Sequence, residues 1–201
     1  MWFAENLNYA VAGSKCYGEG GEAINEICDD NDNCIQVRET LSLDKVQTNC
    51  EKYGRLYNWP TAMILPSSCN YNSCTSQIQP KHQGICPAGW HIPNNDDWII
   101  LLNYAGGSSS TAGTKLKDKN GWNYDYSNGI DGNGTDNYGF SALPGGAGGL
   151  GNFYRVGNIG VWWSATEYNA NRTYNFGMES TGVSGHYYNK SELYSVRCIK
   201  D

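Results

Sequence analysis

Between Val161 and Cys198 the chain concentrates side chains suited to holding another molecule. Tyr168, Asn169, Asn171, Arg172, Tyr174, Asn175, His186, Tyr187, Tyr188 and Asn189 all fall there. Val161-Trp162-Trp163-Ser164 precedes them and Ser195-Val196-Arg197-Cys198 follows. Tyrosine brings a large rigid face with few rotors, and asparagine brings donors and an acceptor. Binding loops favour that pair because contact area then costs little side-chain entropy. Residues 161–198 are therefore expected to form a ligand-binding region. The same composition also suits ordinary strands joined by polar turns, since Tyr favours strands and Asn favours turns. Trp162 and Trp163 are adjacent, so on a strand they face opposite sides. Trp163 is expected in the core and Trp162 on the ligand surface.

Catalytic chemistry finds less support, and the chain is expected not to be an enzyme. His82, His91 and His186 are dispersed, with no spacing that makes a zinc or catalytic cluster. His91, beside Trp90 and Pro93, reads as a packed structural residue. No base pairs visibly with a Ser, Thr or Cys nucleophile. No cofactor is firmly indicated, and calcium is the one candidate. Asp131, Asn133 and Asp136 alternate along a Gly-rich loop, with Asp125 and Asn137 nearby, and such oxygen ligands suit a hard cation. The loop lacks the terminal acid of an EF-hand, and Asx turns explain it equally well. The acidic run from Asp29 to Asp32 is a weaker candidate, since a solvated loop accounts for it. Three Asn-x-Ser/Thr triplets begin at Asn133, Asn171 and Asn189, acceptors that a bacterial source would leave unused.

The elements that must position these residues are short. Only 17% of the 201 residues are charged, and 25 are glycine, which implies many turns and short strands. The net charge of -6, without a Lys/Arg cluster, excludes a phosphate backbone as the natural partner. Nothing inserts directly into a membrane: the longest purely aliphatic or aromatic run is Trp98 to Leu102. The eight cysteines, Cys16, Cys28, Cys34, Cys50, Cys69, Cys74, Cys86 and Cys198, are even in number and contain no CxxC pair. That pattern favours disulfides in an exported protein over a zinc site, with the pairing open among 105 possibilities. Cys28 with Cys34, and Cys69 with Cys74, have spacings that suit local staples. The first residues lack a basic start and apolar core, so a secretory leader is not visible in this fragment. A module taken from a longer exported protein reconciles the two observations.

Asn94 or Asn95 can cap a helix whose buried face is Trp98 to Leu102 and whose stop is Gly106-Gly107. A second helix is expected near Pro60 and a third over 35–46. Residues 106–160 read as a long ordered loop. Strands are expected near 161–166, 173–179, 186–188 and 194–200. Segments 19–49 and 66–84 look like insertions in a single domain spanning 1–201.

Several motifs together resemble a known family. They are Cys50-Glu51-Lys52-Tyr53-Gly54-Arg55-Leu56-Tyr57-Asn58-Trp59, Gly84-Ile85-Cys86-Pro87-Ala88-Gly89-Trp90-His91-Ile92-Pro93, Tyr138 to Gly146, Trp163-Ser164-Ala165-Thr166-Glu167 and Ser195-Val196-Arg197-Cys198. In this order they resemble the Fibrobacter succinogenes major paralogous domain over nearly the full chain. The resemblance implies an α+β, C-type-lectin-like fold of the formylglycine-generating-enzyme branch: loop-rich, disulfide-bonded, with short helices and short antiparallel strands. It implies pairing of Cys16 with Cys50 and of Cys86 with Cys198. It also implies display at the surface of anaerobic gut bacteria, often as a lipoprotein-associated module. Some members resemble variable proteins of diversity-generating retroelements, and Tyr168 to Tyr194 looks like such a variable tract. The Glu-Pro-Asn, Gln-Pro-Asp and Trp-Asn-Asp motifs of calcium-dependent sugar-binding lectins are missing, as is the redox cysteine pair of formylglycine-generating enzymes.

The expected function is a non-catalytic, extracellular adhesion or receptor-binding module. Its partner would be a protein or glycan on another cell, phage or host surface, and not a nucleic acid. A structural or assembly subunit of a bacterial surface fibre is the alternative, and a formylglycine-generating-type enzyme a remote one.

Overall fold

The computed structural model describes residues 1–29, 33–107 and 109–201. Strand β1 (Glu22–Cys28) turns back antiparallel as β2 (Cys34–Thr40). Helix α1 (Leu43–Tyr53) follows, capped by the Ser42 hydroxyl, and α2 (Trp59–Met63) is capped by the Asn58 carboxamide. Two short 3₁₀ turns occupy Ser67–Asn70 and Thr75–Gln77. Then come β3 (Trp90–His91), α3 (Asn95–Ala105), α4 (Ser109–Leu116), β4 (Ala147–Gly149) and β5 (Asn152–Tyr154). The chain ends with β6 (Gly160–Glu167), β7 (Arg172–Glu179), β8 (Gly182–Asn189) and β9 (Ile199–Lys200). The architecture is α+β, with short helices, mainly antiparallel strands and four disulfides.

Three sheets form, in the orders β2-β1-β5-β4, β3-β9 and β6-β7-β8, with β1 and β5 parallel. The third sheet carries the Tyr/Asn tract and is covered on both faces along much of its length. On one face Trp162, Phe176, Met178 and Val183 pack against Trp98, Leu101 and Ala105 of α3 and Ala112 and Leu116 of α4. On the other, Val161, Trp163 and Ala165 join Tyr57, Trp59, Tyr194 and Val196. Rigidity of this sheet is therefore a product of burial on both sides.

The cysteines pair as Cys16–Cys50, Cys28–Cys34, Cys69–Cys74 and Cys86–Cys198, with none left free among the described residues. Both local staples form as the spacing suggested, and the two long bridges match those implied by the family resemblance. Cys86–Cys198 ties the start of the second half to its end, and the N-terminal segment lies across it: Phe3 N–H donates to the Cys198 carbonyl and Lys200 N–H to that of Met1. Arg197, fully buried, holds the same junction. Its guanidinium donates to Asn6 Oδ1 at 2.7 Å and to the carbonyls of Phe140, Phe3 and Ser141, and its face covers the Phe140 ring.

Four expectations about elements are corrected. Residues 35–40 are strand, not helix, because the Cys28–Cys34 staple closes a hairpin in which each residue of β1 meets one of β2. The helix expected from 35 starts only at Leu43, after its Ser42 cap. Residues 106–160 are not one long loop, since they hold α4, β4 and β5; α4 forms because Ala112 and Leu116 find an apolar partner in Trp98 and its neighbours. The strand expected over 194–200 is confined to Ile199–Lys200, the preceding residues making isolated bridges such as Trp162 with Ser195. Helix α3 does begin at Asn95, with a reciprocal capping box between Asn94 and Asp97. Of its apolar run, however, Ile99 and Ile100 face solvent, since only one side of an 11-residue helix meets the sheet.

Candidate functional site

Strand alternation divides the tract between the two faces of the β6-β7-β8 sheet. The register pairs Tyr174 with Tyr187, Asn175 with His186 and Thr173 with Tyr188. Tyr174 and Tyr187 thus share the face that carries Trp162 and Phe176, but lie beyond the cover of the helices. His186, Tyr188 and Asn175 share the opposite face, with Trp163.

On the first face three phenol rings form a platform. Tyr168 and Tyr187 stack at 4.0 Å with ring planes 10° apart, and Tyr174 meets Tyr168 edge-on at 5.4 Å. Tyr168 is 45% exposed and Tyr187 44%. Stacked rings shield each other's inner faces and leave the outer ones to solvent, which is how aromatic side chains serve as contact anchors. The Arg172 guanidinium sits 5.8 Å from the Tyr187 ring centroid, a cation–π contact at an exposed site. The hydrogen bond with the Tyr187 hydroxyl holds the Tyr168 phenol above its ordinary pKa. Turn residues support the platform: Asn169 Oδ1 accepts from Asn171 N–H at 3.0 Å and Arg172 N–H at 2.9 Å, closing an Asx turn.

Beneath the turn lies a buried ionic anchor. Lys190 Nζ donates to the Ala170 carbonyl at 2.8 Å and the Asn72 carbonyl at 3.1 Å. It also lies 3.3 Å from Glu167 Oε1 and 4.8 Å from the Trp59 ring centroid. Glu167 Oε2 in turn accepts from Cys74 N–H at 2.9 Å. One cation therefore joins the β6–β7 turn to the loop stapled by Cys69–Cys74. Burial lowers the pKa of Lys190, while Glu167 pulls it back up.

On the second face a groove of about 540 Å³ lies between β7–β8 and Tyr154 of β5, with Tyr194 and Glu192 also lining it. That size is ordinary for a small-ligand site. Asn175 reaches it from β7 and is only 1% exposed. Among the described residues, neither Oδ1 nor Nδ2 of Asn175 has a hydrogen-bond partner. A buried polar group left unpaired costs about 1–3 kcal/mol. Its neighbours are polar but mutually engaged: Ser184 Oγ lies 2.7 Å from His186 Nε2, and Arg155 pairs with Glu179 at 3.5 Å. Burial raises the pKa of Glu192 above its usual 4.5, opposed by a hydrogen bond from Asn189. The Tyr194 hydroxyl is likewise pushed up, first by burial and then by Glu192.

Of the residues expected on the ligand surface, Tyr168, Asn169, Asn171, Arg172, His186, Tyr187, Tyr188 and Asn189 are exposed and Tyr174 is half-buried. Two expectations are corrected. Trp162 is fully buried, its Nε1 donating to Asn6 Oδ1 at 2.7 Å, because both faces of β6 are covered. Asn175 is buried and lies at a groove floor instead of an open surface. The calcium loop also reads differently in three dimensions. Asp131 Oδ1 accepts from Asn133 N–H and Nδ2, Asn133 Oδ1 from Trp122 N–H, and Asp136 from Ser141 N–H and Oγ. Asp131 and Asp136 thus close separate turns, and Asn133 ties the loop back to Trp122. No group of three His, Cys, Asp or Glu side chains converges for a metal among the described residues. In the Asp29–Asp32 run, Asp29 binds Asn33, and the other three residues lie outside the described ones. Tyr154, Glu192 and Tyr194 were missed as groove residues; they are distant in sequence from Asn175, and nothing local to them signals a shared cavity.

No described helix is long and apolar enough to cross a membrane, and four disulfides mark an oxidising environment. A model of the Fibrobacter succinogenes major domain matches residues 1–200. No curated protein and no solved structure matches the chain.

Proposed function

Since this chain belongs to the Fibrobacter succinogenes major domain family, we propose that it is a non-catalytic ligand-binding module displayed at a bacterial surface. Its scaffold is C-type-lectin-like, a reading supported by the adjacent chain ends and by the long Cys86–Cys198 bridge. The observation that carries the function is the exposed stack of Tyr168 on Tyr187, flanked by Tyr174 and Arg172 and braced from below by Lys190. Rigid aromatic faces beside a guanidinium are what protein-binding hot spots use. The partner is a protein or glycan on another cell, phage or host surface. The same stretch suits a variable tract, since its exposed rings stand on strands whose ladder is made by main-chain pairing, the Asn169 turn being the part that depends on its own side chain.

The test is capture of partner cells or arrayed host proteins and glycans by the purified chain. The double variant Tyr168→Ala/Tyr187→Ala should lose at least about tenfold in affinity, as hot-spot truncation does, with an unchanged melting temperature. Capture that survives the double variant intact, or its absence in the native chain, refutes the reading. Exposed Ile100 and Tyr104 on α3, 65% and 70% exposed, favour the assembly-subunit reading as the alternative. Concentration-dependent self-association lost on Ile100→Lys would support it.

A further inference from the structure

We propose that the groove floored by Asn175 is a metal-independent subsite for one sugar residue, held through two neighbouring hydroxyls by the Asn175 carboxamide. The inference rests on the reading of this chain as a ligand-binding module and names a ligand class for its second face.

The carboxamide presents one acceptor and two donor hydrogens side by side. A pair of vicinal hydroxyls offers the complementary set, one donating to Oδ1 while the other accepts from Nδ2. No described residue meets either atom, although the side chain is 1% exposed and sits at the groove. An apolar ligand would leave both atoms unpaired. An anionic ligand would meet Glu192 and an Arg155 already paired with Glu179. A neutral polyol meets neither objection. The rings of Tyr154 and Tyr188 line the same groove and offer faces for the C–H side of a pyranose, with the buried Tyr194 beneath them. Both amide atoms are buried, so binding requires the side chains above them to shift; His186, opposite Asn175 in the register, and Tyr188, 51% exposed, are exposed side chains on that strand face.

The retention of an unpaired buried amide has a testable signature. Asn175→Leu keeps the side-chain size and removes the polar atoms, so it should raise the melting temperature while abolishing sugar binding. The probes are methyl glycosides of mannose, galactose, glucose and fucose, titrated against the full chain in EDTA by ligand-observed NMR and calorimetry. At least one should bind the native chain. Its analogue lacking one hydroxyl of a vicinal pair should bind at least about tenfold more weakly, the loss of a single hydrogen bond in a buried site. Asn175→Leu should lose at least about as much. No bound glycoside, binding that needs calcium, or equal binding by Asn175→Leu would overturn the proposal. The deoxy comparison uses the native chain, so it remains decisive if the variant folds poorly. Partner capture through Tyr168 and Tyr187 is measured in parallel on Asn175→Leu. Capture without glycoside binding rejects the subsite alone, and loss of both in the native chain rejects the module reading as well.

Discussion

Replacing Lys190 by Met should be among the most damaging single changes to this chain, and the reason is electrostatic. The Lys190 side chain is fully buried, and the Glu167 side chain is 3% exposed. Methionine keeps the length of the aliphatic stem but strands a carboxylate away from water. Breaking a buried pair by removing one partner costs about 3–5 kcal/mol, since the remaining charge stays buried. For a chain of this size about 1 kcal/mol corresponds to about 2–4 °C, so the melting temperature should fall by about 6–20 °C. The control is Lys190→Met combined with Glu167→Gln. Glutamine still accepts from Cys74 N–H but carries no charge, so the double variant should recover at least half of the loss. The Ala170 and Asn72 carbonyls lose their donor in both variants, and the cycle cancels that shared cost. Thermal and denaturant unfolding of the four proteins measures the coupling. A single variant that loses under about 1 kcal/mol, the range of exposed pairs, would refute the assignment of a buried anchor. So would a double variant whose loss equals the sum of the two single losses.

Three further outcomes follow from the same geometry. Removing the Cys86–Cys198 bridge, which spans 112 positions, should cost on the order of 4–5 kcal/mol by loop-closure entropy; calorimetry of Cys86→Ala/Cys198→Ala checks this. Glu192 titrates above 4.5 in the folded state, so the unfolded chain binds fewer protons between 4.5 and the folded value. Its burial therefore destabilises the fold at neutral pH, and that cost disappears as pH falls through the folded pKa towards 4.5. Glu192→Gln should be more stable than the native chain near neutrality, with the gap closing in acid; a gap constant with pH would contradict the cause assigned to the shift. Because the oxygens of Asp131, Asn133 and Asp136 are taken up by separate internal hydrogen bonds, calcium or EDTA should leave the melting temperature unchanged, and a calcium-dependent rise would show that the loop rearranges around an ion.

Much of the scaffold was legible because its signals are local. The α3 start follows from Asn94 and the acids after it, the two local staples from short cysteine spacings, and the Tyr/Asn tract from composition alone. The family motifs extended this to both long bridges. Expectations failed where a distant segment decides the outcome. Trp162 and Trp163 obey strand alternation and do face opposite ways, yet both are buried. Whether the second face meets solvent depends on α3 and α4 docking there, and no residue near Trp162 encodes that.

The amino-acid order was sufficient to show an oxidised, loop-rich α+β chain with aromatic and amide side chains near its end, because capping, turn chemistry and cysteine spacing act over a few residues. It could not show that the tract splits into a stacked platform on one face and a groove on the other. That division depends on the β7–β8 register and on the approach of Tyr154, Glu192 and Tyr194, segments brought together only by burial of the central sheet. The unpaired state of Asn175 belongs to the same level, since hydrogen-bond satisfaction is a property of the assembled interior and not of any residue in isolation.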